Sequence, residues 1–465
     1  MTTPTSSPVA GITNRTGLAL AVLCLAQFVV ALDYSIIYVA LPSIGDDLDL
    51  GPGLLQWVVS AYAVLFAGLL LVGGRVADRF GAKRVFVVAF AVFGLASALG
   101  GVASDGTALL GARGLQGLAA AFLQPAILGL LSTTFADGPI RARALSIWGA
   151  VGASGLAVGV VLGGVLTAVS WRWTFLINVP LAAFGVVGAS LWIVASLKKR
   201  GGSRIPLRAA LLGTGALLST VVTLTLLADT RRPWLVFAVA LGVAIVLIVG
   251  FLLSEHSSAN VLIEKPLRRL ASLRLGVAAT FLYMASVGSE FYLVTLLLQK
   301  LEGFTPLEAG LGFLPLAALV SVGNIVAGKL VPRWSAGVTL ATGFGISAVG
   351  LGIFVGFLGS GSYATNLLPG LLLSGFGHGI IYTSMFVIGT RDIPADLQGS
   401  AGALLTTSQY LSAAVSLALL TIVLGPEPQA TQFRWAFLVT TIAAFLGLIV
   451  GILARRYESG LKAPR

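Results

Sequence analysis

Residues 74–84 read GRVADRFGAKR and join two long apolar stretches through a very short polar turn. Gly74 and Gly81 allow close helix approach and a sharp turn, because glycine has no side chain to restrict them. Asp78 can cap the following helix or pair with an arginine across a helix bundle. We therefore interpret the turn as a conformational latch between two rigid bodies, although a solvated hairpin would have a similar composition. The residues assigned to this latch are Gly74, Asp78, Arg79, Gly81 and Arg84.

Apolar residues dominate the rest of the chain. Of its 465 residues, 57% are hydrophobic and 10% are charged, whereas a soluble domain has about 45–50% apolar and 25% charged residues. Uncharged runs at 17–31, 87–101 and 236–253 approach the ~20 residues that cross the ~30 Å of bilayer hydrocarbon as a helix. We therefore predict an all-α membrane protein with fourteen spans. They are placed at residues 17–41, 54–74, 83–104, 107–131, 143–168, 173–196, 208–228, 233–254, 273–299, 307–330, 336–359, 366–390, 399–425 and 433–454.

Basic residues are distributed unevenly between the two sides of these spans. Most of the 29 Lys and Arg residues fall in loops on one side, for example in residues 75–84 and 198–208. Arg113 falls within a span, and the loops on the other side hold only Arg172, Arg231, Arg232, Lys300 and Arg434. Because cytoplasmic loops carry the excess of Lys and Arg, we predict a cell-membrane protein with both termini in the cytoplasm. The formal charge of +12 then reflects orientation and contact with anionic lipid, not nucleic-acid binding.

The turn is repeated later in the chain. Residues 74–80, GRVADRF, recur in weaker form as GKLVPRW at residues 328–334, an offset of 254 positions. The offset leaves room for a six-span unit and two further spans, and paired six-span halves are a known transporter architecture. We predict tails at residues 1–16 and 456–465, six-helix bundles at 17–200 and 259–455, and two additional helices at 201–258.

Residues 74–84 closely resemble the loop between spans two and three of the major facilitator superfamily. Residues 32–42, LDYSIIYVALP, look like the span-one motif of its fourteen-span drug:proton antiporter family. Residues 113–117, RGLQG, resemble the family's span-four motif, and residues 170–180, SWRWTFLINVP, resemble the start of span six. The resemblance implies the major facilitator fold and the export of lipophilic, neutral or cationic molecules in exchange for protons by alternating access.

Span five departs from this family in one position. The family has a glycine ladder followed by Gly-Pro, and here the ladder is present while Val160 occupies the place of the proline. Small residues at this spacing let helices pack tightly. Without the proline the bend of span five is less assured, which leaves the direction and tightness of transport open. The ladder consists of Gly149, Gly152, Gly155, Gly159, Gly163 and Gly164, and the last four are assigned to helix packing.

Three charged residues lie deep within predicted spans, away from the span ends, where insertion costs about 2.5–3.5 kcal/mol each. At 1.5 Å per residue, Asp33 and Arg113 lie ~12 Å and ~9 Å from the outer ends of their spans and could pair. Glu290 lies ~14 Å deep, without an evident basic neighbour in sequence. We assign all three to proton coupling, although Asp33 and Arg113 could form a purely structural ion pair. His378 could also titrate, but a lone histidine in a glycine-rich span is more often a packing residue.

An apolar substrate cavity needs aromatic walls and a few orienting polar groups. The candidates are Trp57, Tyr62, Phe66, Gln124, Tyr292, Asn324, Tyr382 and Gln409, each of which could instead pack within the bundle. We expect a small-molecule substrate, protons and the lipid bilayer as partners, and a monomeric protein. A dedicated exporter of an endogenous natural product or lipid, or a proton-coupled symporter, would fit the same residues.

Enzymatic and cofactor-dependent functions find little support in the sequence. No HExxH, GxSxG or acidic metal-binding cluster is present, so we expect no enzyme. Two His residues and a single Cys, Cys24, indicate neither a disulfide nor a Cys/His metal site. Residues 323–329, GNIVAGK, resemble the start of a phosphate-binding loop, but Leu330 replaces the required Ser or Thr at the end of a span. We therefore expect no cofactor and no use of ATP.

Overall fold

The computed structural model describes residues 14–135, 139–194, 207–228, 233–257, 261, 263, 265–358, 362–394 and 397–462. Within these residues all regular secondary structure is helical. The fourteen long helices are α1 (Asn14–Asp47), α2 (Trp57–Phe80), α3 (Ala82–Gly101), α4 (Gly106–Thr134), α5 (Pro139–Val169), α6 (Asn178–Trp192), α7 (Leu207–Ala228), α8 (Trp234–Ser257), α9 (Ala271–Leu296), α10 (Leu314–Trp334), α11 (Ala336–Phe357), α12 (Leu368–Thr390), α13 (Gln398–Leu424) and α14 (Ala430–Lys462).

Each predicted span therefore coincides with a long helix. Including short helical extensions such as Pro52–Leu55 and Trp173–Leu176, thirteen of the fourteen are long and apolar enough to cross a membrane. The remaining helix, α5, contributes the shorter apolar segment Val158–Val169. Continuous helices satisfy every backbone polar group internally, which hydrocarbon surroundings require.

The helices form two bundles with the same packing pattern. In the first, α1 packs on α5 and α6, α4 packs on α2 and α3, and α3 packs on α6. In the second, α9 packs on α13 and α14, α12 packs on α10 and α11, and α11 packs on α14. Gly81 (φ 95°) precedes α3, and Ser335 (φ 111°), 254 positions later, precedes α11 with the same unusual backbone sign. The structural repeat therefore has the offset of the sequence repeat.

The two additional helices lie beside the junction of the bundles. Helix α7 packs on both α2 and α13, so that it covers one side of the junction. A Cβ added to Gly68 of α2 would lie 2.4 Å from the Thr214 hydroxyl, which shows how closely α7 approaches. Helix α8 packs on α7 and exposes apolar side chains elsewhere, such as Leu235 at 77%. The predicted boundaries near residues 200 and 258 lie outside the described residues and stay predictions.

The glycine ladder of α5 forms the contact with α1. Gly152, Gly155, Gly159 and Gly163 face successive turns of α1, and a Cβ on Gly159 would lie 2.0 Å from the Ser35 hydroxyl. Gly164 faces the other bundle, where a Cβ would lie 2.8 Å from the Pro306 carbonyl oxygen. Gly149 has nothing within 4 Å of its added Cβ, so it is not part of either contact. The small residues thus bring three backbones together at the junction.

Candidate functional site

Asp33 lies inside the first bundle and is 2% exposed. Its Oδ2 atom is 2.7 Å from Nη1 of Arg113, which confirms the pairing predicted from depth. Its Oδ1 atom accepts hydrogen bonds from the side-chain amides of Gln116 and Asn178, each at 2.9 Å. Three donors from α4 and the start of α6 therefore surround the carboxylate of α1.

Arg113 and Gln116 are themselves held in place by neighbouring helices. The guanidinium donates from Nε to the Val58 carbonyl oxygen at 2.7 Å and from Nη1 to Oε1 of Gln116 at 2.8 Å. It also lies over the Tyr62 ring, 4.7 Å from its centroid. The Gln116 amide donates to the Ser97 hydroxyl at 2.8 Å. Because an arginine does not release its proton in proteins, Asp33 has a permanently charged donor beside it.

Glu290 of α9 is fully buried in the second bundle, as its depth predicts. The Ser374 hydroxyl donates to its Oε1 atom at 2.5 Å and also lies 3.3 Å from the Leu371 carbonyl oxygen. A hydroxyl has one hydrogen and can both donate and accept. When Glu290 is ionised, Ser374 can donate to it. When Glu290 is protonated, the acid can donate to Ser374, whose hydrogen can then point to Leu371.

His378 lies beside Glu290, which the sequence did not indicate. Its Nδ1 atom is 3.3 Å from Oε2 of Glu290, and both side chains are fully buried. The contact is not aligned as a hydrogen bond, and neither ring nitrogen has another partner among the described residues. The Tyr283 ring meets the imidazole edge to face with a centroid distance of 5.9 Å. Interpretation of His378 as a simple packing residue is therefore incomplete, because a fully buried carboxyl group contacts it.

The two acid–base pairs lie on corresponding helices of the two bundles. Asp33 and Glu290 lie on the first helix of their bundles, and Arg113 and His378 lie on the fourth. A sequence signal for the second pair was available, since Ser374 and His378 are four positions apart and so share one face of α12. Which face that is cannot be read without the packing of α9 on α12.

An aromatic layer fills the space between the two bundles. Phe66 of α2 contacts Tyr410 of α13 with a centroid distance of 4.1 Å, and Tyr34 of α1 meets Tyr410 at 5.5 Å. Tyr38 stacks on Phe291 of α9 at 6.1 Å. Tyr62 and Tyr382, both predicted cavity residues, join this layer through Phe66 and Tyr283 respectively. We define the aromatic layer as Tyr34, Tyr38, Tyr62, Phe66, Tyr283, Phe291, Tyr382 and Tyr410.

The other predicted cavity residues have no ring contact with this layer among the described residues. Trp57 donates to the Thr225 hydroxyl of α7 at 3.0 Å, and Asn324 accepts from Thr383 of α12 at 3.0 Å. Both therefore join helices. Tyr292 and Gln409 are buried, and Gln124 is half-buried. The prediction missed Tyr34 and Tyr38, although they follow Asp33 in the quoted span-one motif; their spacing places them on one face of α1.

The predicted latch contacts the second bundle only in part. Arg75 of the turn donates from Nη2 to the carbonyl oxygen of Val261, within the range predicted for the second bundle, at 3.3 Å. Asp78, Arg79 and Arg84 are exposed, and no ion pair or hydrogen bond joins these three to the described part of the second bundle. Gly81 makes the sharp turn with its positive φ, as predicted. The close helix approach, however, is made by Gly73, whose added Cβ would lie 2.2 Å from the Ala121 carbonyl oxygen. At Gly74 the corresponding distance is 3.8 Å, an ordinary contact with Pro125.

Two repeated helical bundles with a buried carboxyl group in each define a multi-pass membrane carrier. The family model described as Major Facilitator Superfamily matches residues 23–417, and the chain belongs to that superfamily. The chain is 36% identical to the cephamycin export protein CmcT of Amycolatopsis lactamdurans over 98% of this chain and 94% of that protein. It is 34% identical to the puromycin resistance protein pur8 of Streptomyces alboniger over 87% of this chain and 81% of that protein.

A solved structure has the same fold. A mutant form of the nucleoside transporter NupG aligns with a TM-score of 0.67 over 94% of this chain and 99% of that chain. Its sequence is 12% identical to the present one. The similarity therefore concerns the arrangement of helices.

Proposed function

We propose that this protein exports small lipophilic molecules across the cell membrane in exchange for protons, by alternating access. Membership of a transporter superfamily supports the mechanism. The names of its relatives, a cephamycin export protein and a puromycin resistance protein, support outward transport of small organic molecules. The aromatic layer between the bundles supplies the kind of apolar, sparsely polar surface that such molecules bind.

The hydrogen bonding of Glu290 carries the proton-coupling part of the proposal. Coupling requires a group whose neutral form is stable in one conformation and whose ionised form is stable in the other. Ser374 can hydrogen-bond both forms of Glu290, whereas the donors around Asp33 favour only its ionised form. In this account Glu290 carries the proton. Asp33 and Arg113 support the first bundle and set its electrostatic environment.

Contacts between the bundles support a state closed at one end, which we call the Asp47 end because α1 ends there. Lys300 is 2.6 Å from Asp46, and the Gln299 amide donates to the Val39 carbonyl oxygen at 2.9 Å. Both Lys300 and Gln299 belong to the π-helical turn Leu297–Leu301 that continues α9. A Cβ on Gly310 would lie 3.1 Å from the Gly164 Cα atom, so the backbones touch across the same end.

The charge distribution suggests which side this end faces. The excess of Lys and Arg at the opposite end supports an orientation in which the Asp47 end faces the outside of the cell. The described arrangement is then closed to the exterior, and the exposed side chain of Asp78 at the cytoplasmic end fits that state. In the opposite state, we propose that Asp78 engages the second bundle while the Lys300–Asp46 contact opens.

Transport by purified protein in proteoliposomes tests the proposal. Puromycin and a cephamycin are the first probes, chosen after the relatives' names, and uphill movement is measured with and without an imposed pH gradient. We expect accumulation of at least one probe that disappears when a protonophore collapses the gradient. Accumulation that is independent of the gradient would contradict proton exchange, and growth resistance without any transport in vesicles would contradict direct export.

A further inference from the structure

We propose that the proton-carrying unit is the Glu290–His378 pair and not Glu290 alone, with His378 as the residue that takes and returns the proton of the carboxyl group. This inference rests on the proposal that Glu290 carries the coupling proton. The step moves one proton from Oε2 of Glu290 to Nδ1 of His378, so a neutral acid and imidazole become a carboxylate and an imidazolium. Total charge is unchanged, and no other reactant is needed.

The geometry divides the carboxyl group between two partners. Ser374 contacts Oε1, and His378 lies 3.3 Å from Oε2. Both partners project from the same face of α12, so a small movement of α12 against α9 would change both contacts together. Proton-transfer partners often align only in one conformation of the transport cycle. A close but unaligned contact is therefore expected in a conformation that precedes the transfer.

No other charged group of the described residues faces the pair. Helix α11 contains no titratable residue, while those of α10 and α14 lie at the helix ends and Arg274 lies in the first turn of α9. Tyr410 of α13 points to the aromatic layer, and Tyr34 of α1 contacts Met284 instead of the pair.

The titratable groups near the pair are phenols. Tyr283 and Tyr382 pack beside His378 and each other, and Tyr292 of α9 interacts with Thr421 of α13. A phenol with an ordinary pKa near 10 stays neutral at physiological pH and does not act as a base there. His378 is therefore the one base available to Glu290 among the described residues.

The corresponding helices of the first bundle show why a histidine matters. There the base is Arg113, which keeps its proton and so keeps Asp33 ionised. An imidazole, unlike a guanidinium, can be present with or without its second proton, so it can accompany either form of the acid. With histidine in place of arginine as the partner of the acid, a proton can move between the acid and the base.

The test compares His378→Asn with His256→Asn, a matched control at the end of α8 that alters the other of the two histidines. An asparagine amide can occupy the place of Nδ1 without exchanging a proton. We expect His378→Asn to retain downhill puromycin exchange and to lose uphill transport and its pH dependence, while His256→Asn behaves as wild type. Uphill transport with the wild-type pH profile in His378→Asn would overturn the proposal.

Glu290→Gln, measured in parallel, separates this inference from the proposed function. If Glu290→Gln also keeps uphill transport, the assignment of Glu290 itself is wrong. If only Glu290→Gln loses it, the carboxyl group acts without His378, and the present inference alone fails.

A second measurement covers the case in which His378→Asn does not fold. In the His256→Asn protein, His378 is the sole histidine, so the nuclear magnetic resonance of ¹⁵N-labelled histidine reports on its ring directly. We expect puromycin binding to change the protonation of that ring. A ring whose protonation is the same before and after puromycin binding, over the pH range in which transport is coupled, would overturn the proposal.

Discussion

Each bundle buries an acid on its first helix and a base on its fourth, and the two acids are surrounded differently. Asp33 meets an arginine and two amides that donate to it, whereas Glu290 meets a hydroxyl and an imidazole that can donate or accept. The first set stabilises one protonation state, and the second accommodates two. In our proposal, the repeated fold assigns structural support to one half and proton exchange to the other through a few different side chains.

The largest expected difference between the two sites is in stability. Asp33→Asn leaves the buried Arg113 without its counter-ion, and breaking a buried pair in this way costs about 3–5 kcal/mol. Glu290→Gln removes no permanent charge partner, so its cost should be about 1 kcal/mol, that of an ordinary hydrogen bond. Thermal unfolding of both variants in detergent measures the difference. Equal losses would show that Asp33 is no more firmly held than Glu290.

A compensating change should recover much of the first loss. In the double variant Asp33→Asn with Arg113→Gln, both charges are absent from the interior, and we expect about 1–4 kcal/mol more stability than in Asp33→Asn. The same unfolding measurement applies, with Arg113→Gln alone as the control. A double variant no more stable than Asp33→Asn would mean that the hydrogen bonds of the network, and not its charges, dominate.

Removing one polar neighbour from each site should have smaller and different effects. Gln116→Ala takes one donor from Asp33 and a partner from Arg113, so we expect a loss of about 1–3 kcal/mol in stability.

Ser374→Ala removes a donor that favours the ionised form of Glu290. The variant should therefore hold its proton to higher pH, and the pH of half-maximal uphill transport should rise.

Both measurements, thermal unfolding and the pH profile of transport, are made on both variants, so that each variant serves as the control for the other. Gln116→Ala should leave the pH profile of transport in place, and Ser374→Ala should unfold close to the wild-type temperature. A rise in the transport pH of Gln116→Ala as large as that of Ser374→Ala would remove the distinction between the sites.

The sequence predicted features that depend on position along a helix. Depth follows from the helical rise, so the pairing of Asp33 with Arg113 could be expected from the distances of both residues to the span ends. The repeat of the polar turn likewise predicted the offset between Gly81 and Ser335, because backbone geometry at a turn is local. The contact of the α5 glycines with α1 was not assigned to a partner, since small residues indicate close packing without naming the helix that approaches.

Features that depend on helix rotation were missed. His378 and Glu290 lie 88 positions apart, and only the packing of α12 on α9 shows that they face one another. Trp57 and Tyr62 are both aromatic residues with a polar group in the same predicted span, yet Trp57 contacts α7. Gly73 and Gly74 point in directions about 100° apart around the axis of α2. The sequence alone does not show which of the two faces α4.

The central claim is that Glu290 changes its protonation state while Asp33 stays ionised. Infrared difference spectroscopy of the purified protein between acidic and alkaline pH observes carboxylic acids directly. We predict a buried carboxylic-acid band in the wild type that disappears at alkaline pH, is absent from Glu290→Gln, and persists in the double variant Asp33→Asn with Arg113→Gln. A band that persists in Glu290→Gln and is lost in the double variant would contradict the account and assign the proton to Asp33.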